Sequence, residues 1–174
     1  RSKRITDCGK LNTFIGIQIN YDDENNCAYL SLQSMIEKHF TTITNTGHSL
    51  KDIPASRTID LDTYENDYLE PIWEEVGQLR FIADHVRGDI STVTGELARF
   101  APKPSSKHVN TCKDVINYLI KTKELKLKLG GKDKVVKLFG YSDAAFRKLF
   151  NVRSRLGRCF YLSKDSGSIY WKSN

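Results

Sequence analysis

A chain of 174 residues, 39% hydrophobic and 28% charged with a formal charge of +6, is long enough to bury a core as one domain or two small lobes. No apolar run approaches the roughly 18–20 residues that span a bilayer, so a membrane-spanning helix is not expected. Cys8, Cys27, Cys112 and Cys159 form no CxxC pair, and His39, His48, His85 and His108 are equally scattered. That spacing disfavours zinc and fits reduced thiols inside a cell, in the nucleus or the cytoplasm.

The opening "RSKRITDCGK" has no initiator Met and no apolar signal-peptide core, and reads as an internal piece of a longer polypeptide. "LNTFIGIQINY" alternates through Phe14, Ile15, Ile17 and Ile19 as a strand; "DDEN" turns it, and "CAYLSL" returns as a hairpin partner. In "SLQSMIEKHF", Leu32, Met35, Ile36 and Phe40 fall at helical spacing, with Ser31 as the N-cap. The stretch from residue 46 to 70 is polar, is punctuated by Pro54 and reads as a linker.

Three helices follow. "IWEEVGQLRFIADHV" sets Ile72, Val76, Leu79 and Ala83 on one face, with Pro71 in its first turn. "DISTVTGELARFA" carries Ile90, Val93, Leu97 and Phe100, with Asp89 as a candidate cap, and stops at "APKPSS". "SKHVNTCKDVINYLIKT" buries Val109, Cys112, Ile116, Leu119 and Ile120. The period then shortens to two: "LKLKL", then "VVKLFGYS", then "GRCFYLS" and "SIYWK" joined by the turn "KDSG". The fold class is α+β, with a hairpin and helix, a three-helix segment and an antiparallel sheet in chain order.

Charge is unevenly spread. From Ile59 to Leu79 there are seven carboxylates and no Lys or Arg, whereas residues 103–137 hold ten lysines against Asp114, Glu124 and Asp133, a net +7. Such a basic block suits a phosphate backbone, and is equally the pattern of a solvated face.

Several stretches, in one order, resemble the C-terminal part of the Pol polyprotein of copia-type LTR retrotransposons. "CGKLNTFIGIQI", "LSLQSMIEKHF", "VGQLRFIADHVRGDISTVTGELARFAPKPSSKH", "INYLIKTKELKLKL", "LFGYSDAAF" and "GSIYWKS" are each similar to a family segment. The resemblance spans nearly the whole chain. It implies the end of reverse transcriptase followed by the start of ribonuclease H. Residues 1–45 would be the last palm hairpin and a thumb-like helix, and 46–70 an acidic linker. Residues 71–124 would be a helical connection-like region and 125–174 a partial ribonuclease H-like sheet. The polymerase carboxylates of the family lie upstream of residue 1; "YDDE" at 21–24 follows its strand and reads as a turn.

The resemblance makes Asp143 the first carboxylate of the ribonuclease H site, where two Mg²⁺ about 4 Å apart clamp attacking water and leaving oxygen. That centre takes four acidic residues in the family. Here the only acid after Asp143 is Asp165, in the "KDSG" turn; Ala145 stands where the family has a second Asp, and "RGDI" replaces Arg-Pro-Asp-Ile. Asp143 is thus a metal ligand only if residues outside this chain complete the site, and otherwise a relic or a turn cap. No cofactor is expected, Mg²⁺ entering only with a completed site.

The expected function is a Pol-derived domain that does not cut and that binds DNA, RNA or hybrid duplex with low specificity. Lys121, Lys123, Lys126, Lys128, Lys132, Lys134, Lys148, Arg153 and Arg155 would hold phosphates, and Tyr141, Phe146, Tyr161, Tyr170 and Trp171 are aromatics for stacking. One alternative is a protein-interaction or dimerisation module of a domesticated retroelement protein, joined through an open sheet edge such as "SIYWK". The other is a fragment of an active reverse transcriptase–ribonuclease H. No membrane partner is expected.

Overall fold

The structure is a computed structural model that describes residues 7, 9–40, 51–55, 68–132, 135–145 and 155–173. Most of the 46–70 linker lies outside the described residues. In chain order the elements are β1 (Thr13–Phe14), β2 (Ile17–Asp22), β3 (Cys27–Ser31), α1 (Gln33–Phe40), α2 (Trp73–His85), a 3-10 turn (Gly88–Ile90), α3 (Ser91–Phe100), α4 (Ser106–Lys121), β4 (Leu127–Gly130), β5 (Phe139–Ala145), β6 (Arg155–Tyr161) and β7 (Tyr170–Ser173). The class is α+β, with two antiparallel sheets, β1-β2-β3-β4 and β5-β6-β7. Among the described residues no helix is long and apolar enough to cross a membrane.

The first predicted strand is two strands. Ile15 and Gly16 both take positive φ, 46° and 86°, and fold the chain back so that Phe14 pairs with Ile17. A two-residue loop with both central φ values positive is the turn that matches the natural twist of a hairpin. The inward face of β2 and β3 brings Ile17 and Leu30 onto the helices. Leu32, Ile36 and Phe40 of the next segment are buried, as their spacing predicts. Ser31 accepts the Gln33 N–H through Oγ at 3.2 Å, which supplies one of the orphan donors at the start of α1.

Helices α2, α3 and α4 supply the rest of the core, with Leu79, Ile82, Ile90, Leu97, Val115 and Leu119 out of solvent. Pro71 sits just outside α2, whose first backbone bond runs from Val76 to Ile72. The break at 101–105 separates α3 from α4. Ser105 starts α4 by donating its N–H to Nδ1 of the buried His108 at 3.0 Å.

Strand β4 corrects the expected grouping of residues 125–174 into one sheet. It pairs with β3, Leu127 opposite Leu30 and Lys128 opposite Tyr29, and Leu127 packs on the core. The β6–β7 turn of the second sheet meets it, the Gly167 N–H donating to Lys128 O at 2.7 Å. A side chain at Gly167 would run into that same carbonyl, so the close approach needs glycine here.

Asp89 does not cap α3. Its carboxylate instead accepts from Arg87 Nε (3.0 Å) and Nη2 (2.7 Å) and from the Tyr118 hydroxyl (2.7 Å). Arg87 is 4% exposed. Its Nη1 and Nη2 also reach the carbonyl and hydroxyl of Thr122, at 3.0 and 2.8 Å. Those contacts serve an orphan carbonyl at the end of α4, where a cation is favoured. Burial pushes the Asp89 carboxyl up, but the bonds from Arg87 and Tyr118 and the Arg87 charge outweigh it and hold it below its ordinary value.

Arg87→Ala should cost about 3 kcal/mol or more, because it leaves Asp89 and the α4 terminus without their cation; the urea midpoint reads this. Because the folded value is lowered, Asp89 contributes stability above the ordinary carboxylate value of 3.8 and loses it as pH falls through its folded value. Asp89→Asn should therefore flatten the acid limb of the stability–pH curve, measured as unfolding free energy against pH.

Candidate functional site

Asp143 lies within β5 rather than at its end, opposite Gly157 of β6, and its side chain is exposed. Alternation along the strands puts Tyr141, Asp143, Cys159, Trp171 and Ser173 on the sheet face turned to α2 and α3. There they line an open cleft of about 490 Å³, whose far wall is Gly88, Ser91 and Thr92. The Trp171 indole N–H donates to Ala83 O at 2.7 Å, and the ring lies against Gly88, where any Cβ would meet it. Thr92 Oγ1 donates to Ser173 Oγ at 3.1 Å, closing the far end of the contact.

The donors facing this cleft do not fit a two-magnesium centre. Mg²⁺ takes hard oxygen ligands, and Asp143 is the one carboxylate among the cleft's described lining residues. Asp165 sits in the β6–β7 turn beside Gly131, at the end of the sheet where Phe139 pairs with Tyr161, whereas Asp143 is near the other end. Among the described residues no group of three or more His, Cys, Asp and Glu comes together that could hold a metal ion.

The predicted lysines are not one array. Lys121 is ion-paired to Asp52. Lys123 holds Glu37 at 2.6 Å, and that bond raises the lysine and lowers the carboxyl. Lys126 is exposed at the entry to β4. Lys128 and Lys132 stand near Asp22, whose carboxyl is lowered first by bonds from Asn25 and then by those two charges. Lys134, Lys148, Arg153 and the aromatic Phe146 lie outside the described residues. Arg155 opens β6, and only its backbone is described.

A cation pair emerges that single-strand patterning does not isolate. In the second sheet Ser142, Arg158 and Lys172 form one cross-strand row, Arg158 directly opposite Lys172. Like charges so placed repel, and neither makes an ion pair with any described residue. The Arg158 guanidinium lies 6.0 Å from the Tyr170 ring on the same face. Counting register back from "KDSG" as the turn sets Arg158 opposite Ser173, one residue away from the pairing in the structure, so the opposition was not legible there. Of the stacking candidates, Tyr141 and Tyr170 are exposed, and Tyr161 and Trp171 half-buried.

The chain is 30% identical over 171 residues, 96% of its length, to a putative transposon Ty5-1 protein of Saccharomyces cerevisiae. It is 32% identical over 104 residues, 59% of its length and 71% of the other protein's, to the secreted RxLR effector protein 161 of Plasmopara viticola. The chain belongs to the family of this second relative, and its likeness to the first supports a transposon-derived origin. It spans 54% of the yeast relative. No family profile and no solved structure matches it.

In this transposon-related protein the cleft carries its own chemical probe. Cys159 is half-buried on the cleft wall, whereas Cys112 is buried and its thiol is pushed up to about 12 by burial and by the charge of Glu75. A thiolate is the reactive form. Iodoacetamide should therefore modify Cys159 in the folded protein and reach Cys112 only in denaturant, read by peptide mass spectrometry. Equal native labelling of both would contradict the placement.

Proposed function

We propose that this chain comes from the junction of reverse transcriptase and ribonuclease H in a copia-type Pol polyprotein, and that it binds nucleic acid through phosphates without cutting it. The observation that carries this reading is the Arg158–Lys172 opposition. Two cations held face to face on a sheet are a standing electrostatic cost that an anion between them turns into a gain. A phosphate there would have the Ser142 hydroxyl in the same row and the Tyr170 ring beside Arg158 for a neighbouring base. Lys126, Lys128 and Lys132 would add further contacts along β4, while Lys121 and Lys123 contribute less because Asp52 and Glu37 already hold them. Hydrolysis has no carboxylate set to draw on among the described residues.

The test is a salt series of binding to DNA, RNA and hybrid duplexes. Wild type should lose affinity steeply with salt, and Arg158→Ala with Lys172→Ala together should reduce the log–log slope by about two. Lys121→Ala should leave the slope nearly unchanged. Affinity that is flat from low to moderate salt, or a double variant with the wild-type slope, would overturn the reading.

A further inference from the structure

The face of the second sheet turned away from α2 and α3 carries two kinds of side chain in two adjacent rows. One row is Ser142, Arg158 and Lys172. The next, two residues along each strand and about 7 Å away, is Gly140, Phe160 and Tyr170. Neither row holds a carboxylate, and Asp143 is turned to the cleft on the opposite face. The Phe160 and Tyr170 ring centroids are 5.9 Å apart, with planes tilted by 46°. The Arg158 guanidinium bridges the rows, 6.0 Å from the Tyr170 ring.

The aromatic row lies low on the sheet. A Cβ at residue 140 would stand 2.8 Å from Cε1 of Phe160 and 3.0 Å from its Cδ1, so a ring that lies across β5 in this way needs Gly140. Glycine inside a strand gives up packing and backbone entropy, and it marks a place of close approach. Among the described residues neither ring packs against the main core. Tyr170 is 43% exposed and Phe160 half-buried. As a purely structural surface the arrangement is costly on both counts, because apolar area is left in water and like charges face each other. A ligand that brings flat apolar faces and anions together relieves both.

We propose that this face binds single-stranded nucleic acid, bases stacking on Phe160 and Tyr170 while Arg158 and Lys172 hold phosphates. The inference rests on the phosphate-binding reading above and names its substrate class. In a duplex each base is covered above and below by its neighbours, so the rings gain nothing from internal base pairs and only the cations are used. A single strand offers phosphates and free base faces side by side, which are the two chemistries that the adjacent rows receive. Charge alone favours the duplex, whose phosphates are packed more densely. A preference for the single strand is therefore the mark of the rings.

Fluorescence anisotropy of an end-labelled DNA single strand, of its duplex and of a base-free strand with the same number of phosphates, each across a salt series, tests it on the whole chain. The intact single strand should bind about tenfold or more tighter than the base-free strand, and tighter than the duplex. Tyr170→Leu and Phe160→Leu should each cut that advantage while leaving the salt slope unchanged, since a lost stack alters no counterion release. If Phe160→Leu changes the far-UV circular dichroism spectrum, Tyr170→Leu and the base-free strand decide. Affinity that is flat with salt would overturn the phosphate-binding reading, and this inference with it. A steep salt dependence with intact and base-free strands bound equally, or with the duplex bound tighter than the single strand, would overturn this inference alone.

Discussion

The guanidinium of Arg87 is buried where α2 ends, and its Nε, Nη1 and Nη2 all donate within the protein. It joins the 3-10 turn, through Asp89, to the end of α4, through Thr122 and the Tyr118 ring 5.3 Å away. A buried cation without partners is untenable, so each of these groups has to sit where the structure has it. Gly88 lies between Arg87 and Asp89 and is fixed by the same contacts. On Gly88 rests the Trp171 indole, whose N–H is bonded to the last turn of α2. The second sheet is therefore docked on a surface that the arginine organises.

That dependence explains why the cleft is where it is. Its far wall is the start of α3, positioned by Asp89 and Gly88, and its near wall is the face of the second sheet that bears Asp143, Cys159 and Trp171. The opposite face of that sheet carries Arg158 and Lys172, which make no ion pair with any described residue. In the first sheet the β4 edge is met by the β6–β7 turn, and Lys128 stands near Asp22.

Elements set by local periodicity were legible. The apolar spacing in α2, α3 and α4, the caps around 101–105 and the hairpin of β6 and β7 all lie within a turn or two of the residues that encode them. What was hidden depends on separation. Leu127–Gly130 alternates like any strand, and nothing near it says that its partner is β3, about a hundred residues earlier. Asp89 has the position of a helix cap, and only the burial of Arg87 diverts it. Lys123 reads as a surface cation until Glu37 is brought to it by folding. Asp143 was singled out by the motif it matches, whereas the opposition of Lys172 to Arg158 lies in the register between strands rather than in its sequence neighbours.

The most direct measurement is hydrogen exchange of the Trp171 indole N–H, compared with the backbone amides of β2 and β3, in Arg87→Met. The methionine keeps an apolar stem but cannot hold Asp89 and Thr122. The indole should lose protection by a larger factor than the amides of the first sheet, because the surface it docks on has lost its organiser. An indole whose protection is unchanged, or falls only in step with those amides, would contradict this account.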